Sequence, residues 1–282
     1  MARPHICFVQ AQMIPWSQGL YGGARPDVES KTLSRDDSDG SASCIVRYPA
    51  GWQRTRAEVL AAHEEFLVLD GSIEINGRLY ERHTYGFLPA GFVRNSARCV
   101  KGAVLLNLFH GEPRLRGANQ ADAFDPALLV EYVNPLAMDW DAGLVDPQLA
   151  KGVAIKPLRT DPYTGEASFL YCSPPHRVPP NMSKPQWTHP MVEELFVLEG
   201  DYVWADLGRM QPGGYAWWRE QVYHGPSGTD TGYNLFVRTI GGPLVNIFAT
   251  EKKPFTWEPE HRPALPPALQ AYGQPLAKRV NY

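Results

Sequence analysis

The residues best suited to chemistry lie in Trp187-Thr-His-Pro-Met-Val-Glu-Glu-Leu-Phe-Val-Leu-Glu-Gly200. His189 and Glu193 stand four apart, ahead of an apolar run that reads as a buried strand ending at a turn glycine. Alternate residues of a strand share a face, so Trp187, His189 and Glu193 are expected on one wall. An imidazole and a carboxylate converging there make half of a divalent-metal site. The missing ligand must come from a neighbouring strand, and His224, in Tyr223-His-Gly-Pro226, is the candidate. His176, in the stretch before the motif, is the candidate fourth ligand.

The elements that must hold this trio are read from composition and self-similarity. A chain of 282 residues suggests one large or two ordinary domains. A net charge of −3 gives no footprint of nucleic-acid binding. Cys7, Cys44, Cys99 and Cys172 are scattered, as in a reduced, cytoplasmic protein rather than a disulfide scaffold. The opening stretch is broken by His5, Gln10 and Gln12, and no run of about 18 apolar residues exists, so neither secretion nor membrane insertion is expected. The 25 Gly and 26 Pro, with abundant Trp, Tyr and Val, favour short strands joined by turns.

One unit is written twice. Lys31, Leu33, Asp36, Gly40 and Ser43 recur 125 residues later as Lys156, Leu158, Asp161, Gly165 and Ser168. Glu64-Glu-Phe-Leu-Val-Leu-Asp-Gly71 recurs 129 residues later as Glu193-Glu-Leu-Phe-Val-Leu-Glu-Gly200. The larger offset implies an insertion in the second copy, within Pro174 to Gln186. Self-similarity over this length is a duplicated domain. Strands are expected over 42–48, 72–76, 100–109, 166–172 and 232–240, with Asn76-Gly77 as a hairpin turn. Between the copies, 125–133 reads as a helix capped by Asp125, with Pro126 in its first turn. The expected divisions are an N-terminal arm, 1–25; a first barrel, 26–120; a linker with that helix, 121–152; a second barrel, 153–250; and a Pro-rich arm, 251–282. The arm is expected to dock through Trp257, Leu265, Leu269 and Tyr272.

The Glu-Glu-x-x-Val-Leu-x-Gly run, the Pro212-Gly-Gly214 turn and the downstream His224-Gly-Pro resemble the two motifs of the cupin family. Both halves carry the likeness, so the chain is similar to a bicupin, of the ChrR-like or RmlC-like kind. The resemblance implies an all-β fold of two tandem jelly-roll barrels with short linking helices. It also implies a metal held by His189, Glu193 and His224. Trp187 stands where cupins place the first histidine of His-x-His, and Arg219-Glu-Gln221 replaces the usual Pro-x-Gly before the last one. Two histidines and one carboxylate with open positions are the set used by non-haem Fe(II) oxygenases, so Fe(II) is favoured over Mn, Ni, Co or Zn.

The first copy serves as an internal control. Glu58, Leu60 and Glu64 stand at the places of Trp187, His189 and Glu193, and Arg94 at that of His224. Leucine cannot ligate, and arginine is a permanent cation shaped for carboxylate, so Arg94 is expected to pair with Glu64, and with Glu58, in a metal-free barrel. In the second barrel, Trp187, Trp204, Phe196, Tyr223, Phe236 and Arg238 are the candidate substrate-binding residues, with Arg238 as a clamp for an oxyanion. Glu194 is expected to point outward, and no catalytic acid or base is assigned. The expected function is a dioxygenase-type enzyme acting on a small diketone-like or phenolic substrate. The alternatives are a non-catalytic binding or sensor bicupin and a metal-dependent isomerase or lyase. A homodimer joined through the terminal arms is expected.

Overall fold

The computed structural model describes residues 3–120, 123–146, 148, 149, 151–179, 182–277 and 282. Two compact units divide the chain: Met1–Pro4, Ile14–Met138 and Tyr282 form one, His5–Met13 and Asp139–Asn281 the other. The expected boundaries are corrected accordingly. Strand β1 (Ile6–Gln10), buried at all five positions, sits in the second unit although it opens the chain. Parts of the expected linker (121, 122, 147, 150) and of the insertion (180, 181) lie outside the described residues. Among the described residues, no helix is long and apolar enough to cross a membrane.

The first unit contains β2 (Glu29–Arg35), β3 (Ala42–Tyr48), β4 (Glu58–Leu60), β5 (His63–Ile75), β6 (Tyr85–Leu88), β7 (Ala103–His110), β8 (Leu115–Gly117) and β9 (Val130–Val133). Its main sheet runs β9-β6-β5-β7-β3-β2, and β4 pairs with β8. Alternation along these strands turns Cys44, Val46, Phe66, Val68 and Leu105 into one core. Asn76 and Gly77 both have positive φ and close a two-residue hairpin, the turn their sequence signals.

The second unit repeats this order with β10 (Ala154–Thr160), β11 (Ala167–Ser173), β12 (Ser183–Thr188), β13 (Val192–Gly200), β14 (Gly214–Trp218), β15 (Tyr233–Ile240) and β16 (Ile247–Pro254). Its sheet runs β1-β14-β13-β15-β11-β10, and β12 pairs with β16. In each sheet the place beside β6 or β14 is filled from outside the repeat, by β9 in one unit and β1 in the other. The motif glycines Gly71 and Gly200 have positive φ, and a Cβ at either would collide with the Gly102 or Gly232 carbonyl of the adjoining turn.

The helix expected at 125–133 is absent. Asp125 does cap a turn, accepting from Ala127 N at 2.9 Å, but only a single 3₁₀ turn, Pro126–Leu128, follows. The chain then becomes β9, pairing Val130 with Phe87 and Val133 with Tyr85. The run is rich in valine and tyrosine, and β6 offers an edge whose backbone groups need partners, so tertiary pairing overrides the cap. Short linking helices are 3₁₀ turns here.

The Pro-rich arm docks on its own unit. Phe255 and Leu269 are buried, Trp257 Nε1 donates to Val178 O at 2.8 Å, and Ala264 O accepts from Cys7 N at 2.9 Å.

Candidate metal centre

His189 leaves the end of β12, and Glu193 is the second residue of β13. His224 is brought in by the backbone: Trp187 N donates to His224 O at 3.0 Å, and His224 N to Trp187 O at 2.9 Å. The three ligand atoms form a nearly equilateral triangle. His189 Nε2 and His224 Nε2 are 3.2 Å apart, and each lies 3.4 Å from Glu193 Oε2.

That triangle fits a metal ion. Two ligand atoms about 2.0–2.2 Å from one ion are about 3.0–3.4 Å apart when they subtend right to tetrahedral angles. Each imidazole is also fixed in orientation, with His189 Nδ1 2.9 Å from Val245 O and His224 Nδ1 3.0 Å from Val222 O. A carbonyl only accepts, so each Nδ1 carries the proton and each Nε2 turns a lone pair to the centre. Two lone pairs and a carboxylate oxygen facing one another call for a cation. Burial pushes the Glu193 carboxyl up, but His189 and His224 outweigh it and hold it far below the usual carboxylate range. Burial likewise pushes His189 down, and Glu193 more than reverses it.

Beside Glu193 lies a cavity of about 40 Å³, room for one or two waters. Trp187, Tyr171, Tyr202, Leu195, Leu235 and Val237 are among its walls. An outer cleft of about 420 Å³ shares Leu149, Tyr171, Trp187 and Tyr202 with it as walls. That volume suits a small organic molecule.

Of the expected substrate-binding residues, Trp187 alone lines this space. Phe196, Phe236 and Arg238 are on the opposite face of the sheet. Glu193, Leu195 and Val197 alternate with Glu194 and Phe196, and Phe236 and Arg238 pair in register with Phe196 and Glu194. Arg238 Nε donates to Glu194 Oε2 at 2.8 Å, and Tyr215 Oη to Glu194 Oε1 at 2.6 Å. Glu194 does leave the site, but into a buried pair rather than solvent. Trp204 is wholly buried behind His224, its ring 5.6 Å away and its Nε1 donating to Met210 Sδ. Tyr223 is half exposed and lines neither cavity, because its neighbour His224 takes the inward position. His176 does not join the trio: it lines the outer cleft with Nδ1 3.1 Å from Ser173 Oγ. Tyr171, Tyr202 and Lys184 also line these cavities, and no sequence motif marks them. Tyr171 faces the site through its register with Leu235, which the sequence does not display.

The first unit preserves the backbone and replaces the chemistry. Glu58 N donates to Arg94 O at 3.0 Å and Arg94 N to Glu58 O at 2.8 Å, the same bridge that joins Trp187 to His224. Glu64 receives Arg94 Nη2 at 2.7 Å, Arg25 Nη1 at 2.7 Å and Asn107 Nδ2 at 2.8 Å. Burial pushes its carboxyl up, but the two guanidinium groups prevail and hold it at about 2. Leu60 is fully buried. Glu58 joins through its backbone, while its carboxylate lies 4.0 Å from Arg54 rather than on Arg94. Arg25 escaped notice because it precedes the repeat.

Residues 131–241 match the family model described as the ChrR cupin-like domain. The chain is similar to the crystal structure of a putative dioxygenase from Nostoc punctiforme, with a TM-score of 0.74 at 20% identity, covering 88% of this chain and 92% of that one. The likeness to this structure is one of fold, extending over both barrels. The chain is also similar to oxalate decarboxylase from Lactobacillus farciminis, with a TM-score of 0.54, 8% identity and coverage of 86% and 88%. The Bacillus subtilis oxalate decarboxylase gives 0.50 and 12%, with coverage of 86% and 78%. At these identities the likeness of the chain to all three structures shows fold alone. No curated protein matches the sequence.

Proposed function

We propose that the second barrel is a metal-dependent oxidoreductase site, of dioxygenase type, acting on a small diketone-like or phenolic substrate. The observation that carries this reading is the triangle of His189, Glu193 and His224, with lone pairs turned inward over a small apolar cavity. A divalent metal, with Fe(II) favoured, would supply Lewis acidity and open positions for substrate and dioxygen together. The chain's own part is to bind, orient and exclude water. Trp187, Leu195, Leu235 and Val237 wall the cavity with apolar surface. Burial pushes the Tyr171 and Tyr202 phenols up, so both keep their protons and can donate to a substrate oxygen. Among the described residues lining these two cavities, Glu193 is the sole carboxylate.

Metal analysis of protein purified without chelator, with oxygen uptake on β-diketones and catechols, tests the reading. Stoichiometric iron and uptake that disappears in His224→Ala are expected. Zinc or no metal, without turnover, would leave a binding module instead.

A further inference from the structure

The outer cleft carries information about the ligand that the trio does not. Its walls include Lys184, Lys252 and His176 beside Tyr171, Tyr202, Tyr233, Trp187 and Phe248, with no carboxylate. Lys184 is half-buried on β12, and burial pushes its ammonium below the usual lysine range. The ion pairs of this region use other residues: Arg177 with Asp230, and Arg209 with Asp201 and Asp230. Lys252, exposed on β16, also lines the cleft. A partly desolvated ammonium in a cleft without acids favours an anion from outside.

From this cleft we infer that the second barrel takes an aromatic or otherwise apolar small molecule bearing a carboxylate, anchored on Lys184 and Lys252. Resting on the proposed function, the end remote from the carboxylate reaches the trio. Lys184 and His189 are five residues apart on nearly extended chain, so the two ends are separated by no more than about 17 Å. One ring with a short acidic side chain fits a cleft of about 420 Å³. Trp187 and the tyrosines supply faces for the ring, and the lysines decide which end goes in first.

The test compares 3-phenylpropanoate with 3-phenylpropanamide, a neutral molecule of the same shape, by calorimetry on the full chain. A charge-assisted contact predicts that the acid binds about tenfold more tightly, with the preference weakening as salt rises. The preference should vanish in the Lys184→Gln/Lys252→Gln double variant and persist in Lys184→Arg. It should also persist in His224→Ala, which separates failure of the anion anchor from failure of the metal site. Equal binding of acid and amide, binding of neither at millimolar concentration, or a preference that survives the double glutamine variant would overturn the inference.

Discussion

Glu64 and Glu193 hold corresponding positions in two copies of one barrel, yet one is ringed by donors and the other by acceptors. Around Glu64 stand two arginines and an asparagine, all with N–H groups turned to the carboxylate. Around Glu193 stand two imidazoles whose outer nitrogens are tied to backbone carbonyls, leaving lone pairs inward. A carboxylate buried in this fold must meet positive charge. The first barrel supplies that charge from its own cationic side chains, whereas the second surrounds its carboxylate with two imidazoles, and on the proposed reading a cation would complete the set. The backbone bridge beneath is common to both, so the difference lies in side-chain chemistry alone.

The strongest way to break this comparison is Arg94→Ala. It strands part of a buried pair, and such losses cost about 3–5 kcal/mol. The denaturation midpoint should fall while metal content stays as in the parent. An unchanged midpoint would mean that the guanidinium is not what stabilises the first barrel.

Acid provides the next largest effect. Glu64 is held at about 2 when folded, against an ordinary 4.5, so its pairing contributes stability above pH 4.5 that drains away as pH falls towards 2. The difference corresponds to about 3 kcal/mol at neutral pH. Glu64→Gln should be less stable near pH 7 and should lose less than the parent on acidification. Parallel stability curves for the two proteins would refute this.

Metal linkage gives the third contrast. If the second barrel binds an ion, chelator should lower the parent's stability by about 2.7 kcal/mol for metal at a hundred times its dissociation constant. His224→Ala should not respond to chelator, and neither should its fold collapse, because the core of Trp204, Trp218 and Leu235 is intact. A chelator response retained in that variant would remove His224 from the ligand set. The smallest expected change is for Asn107→Leu, which deletes one hydrogen bond to the Glu64 carboxylate, worth about 1.5–3 kcal/mol. Should thermal melts show no loss at all, the two arginines alone satisfy Glu64.

Much of this was open to reading before any coordinates. The doubled Glu-Glu run fixes the repeat, and the four-residue step from His189 to Glu193 with a distant His224 fixes which side chains can meet. Strand alternation should have excluded Phe196, which stands an odd number of residues from Glu193. Arg238 could not be excluded in the same way. Its partner Glu194 is on another strand, and their register is a tertiary fact.

What the amino-acid order settled alone is whatever repeats locally: strand periodicity, the Asn76-Gly77 turn, the glycines that end each motif strand, and the loss of histidines from the first copy. Only the folded chain decided that β1 leaves its neighbours to edge the second sheet, that residues 130–133 pair rather than coil, and that Arg25 closes on Glu64. The physical reason is common to all three. A sheet edge or a buried charge accepts any partner of suitable backbone or charge, and sequence distance carries no information about which one arrives.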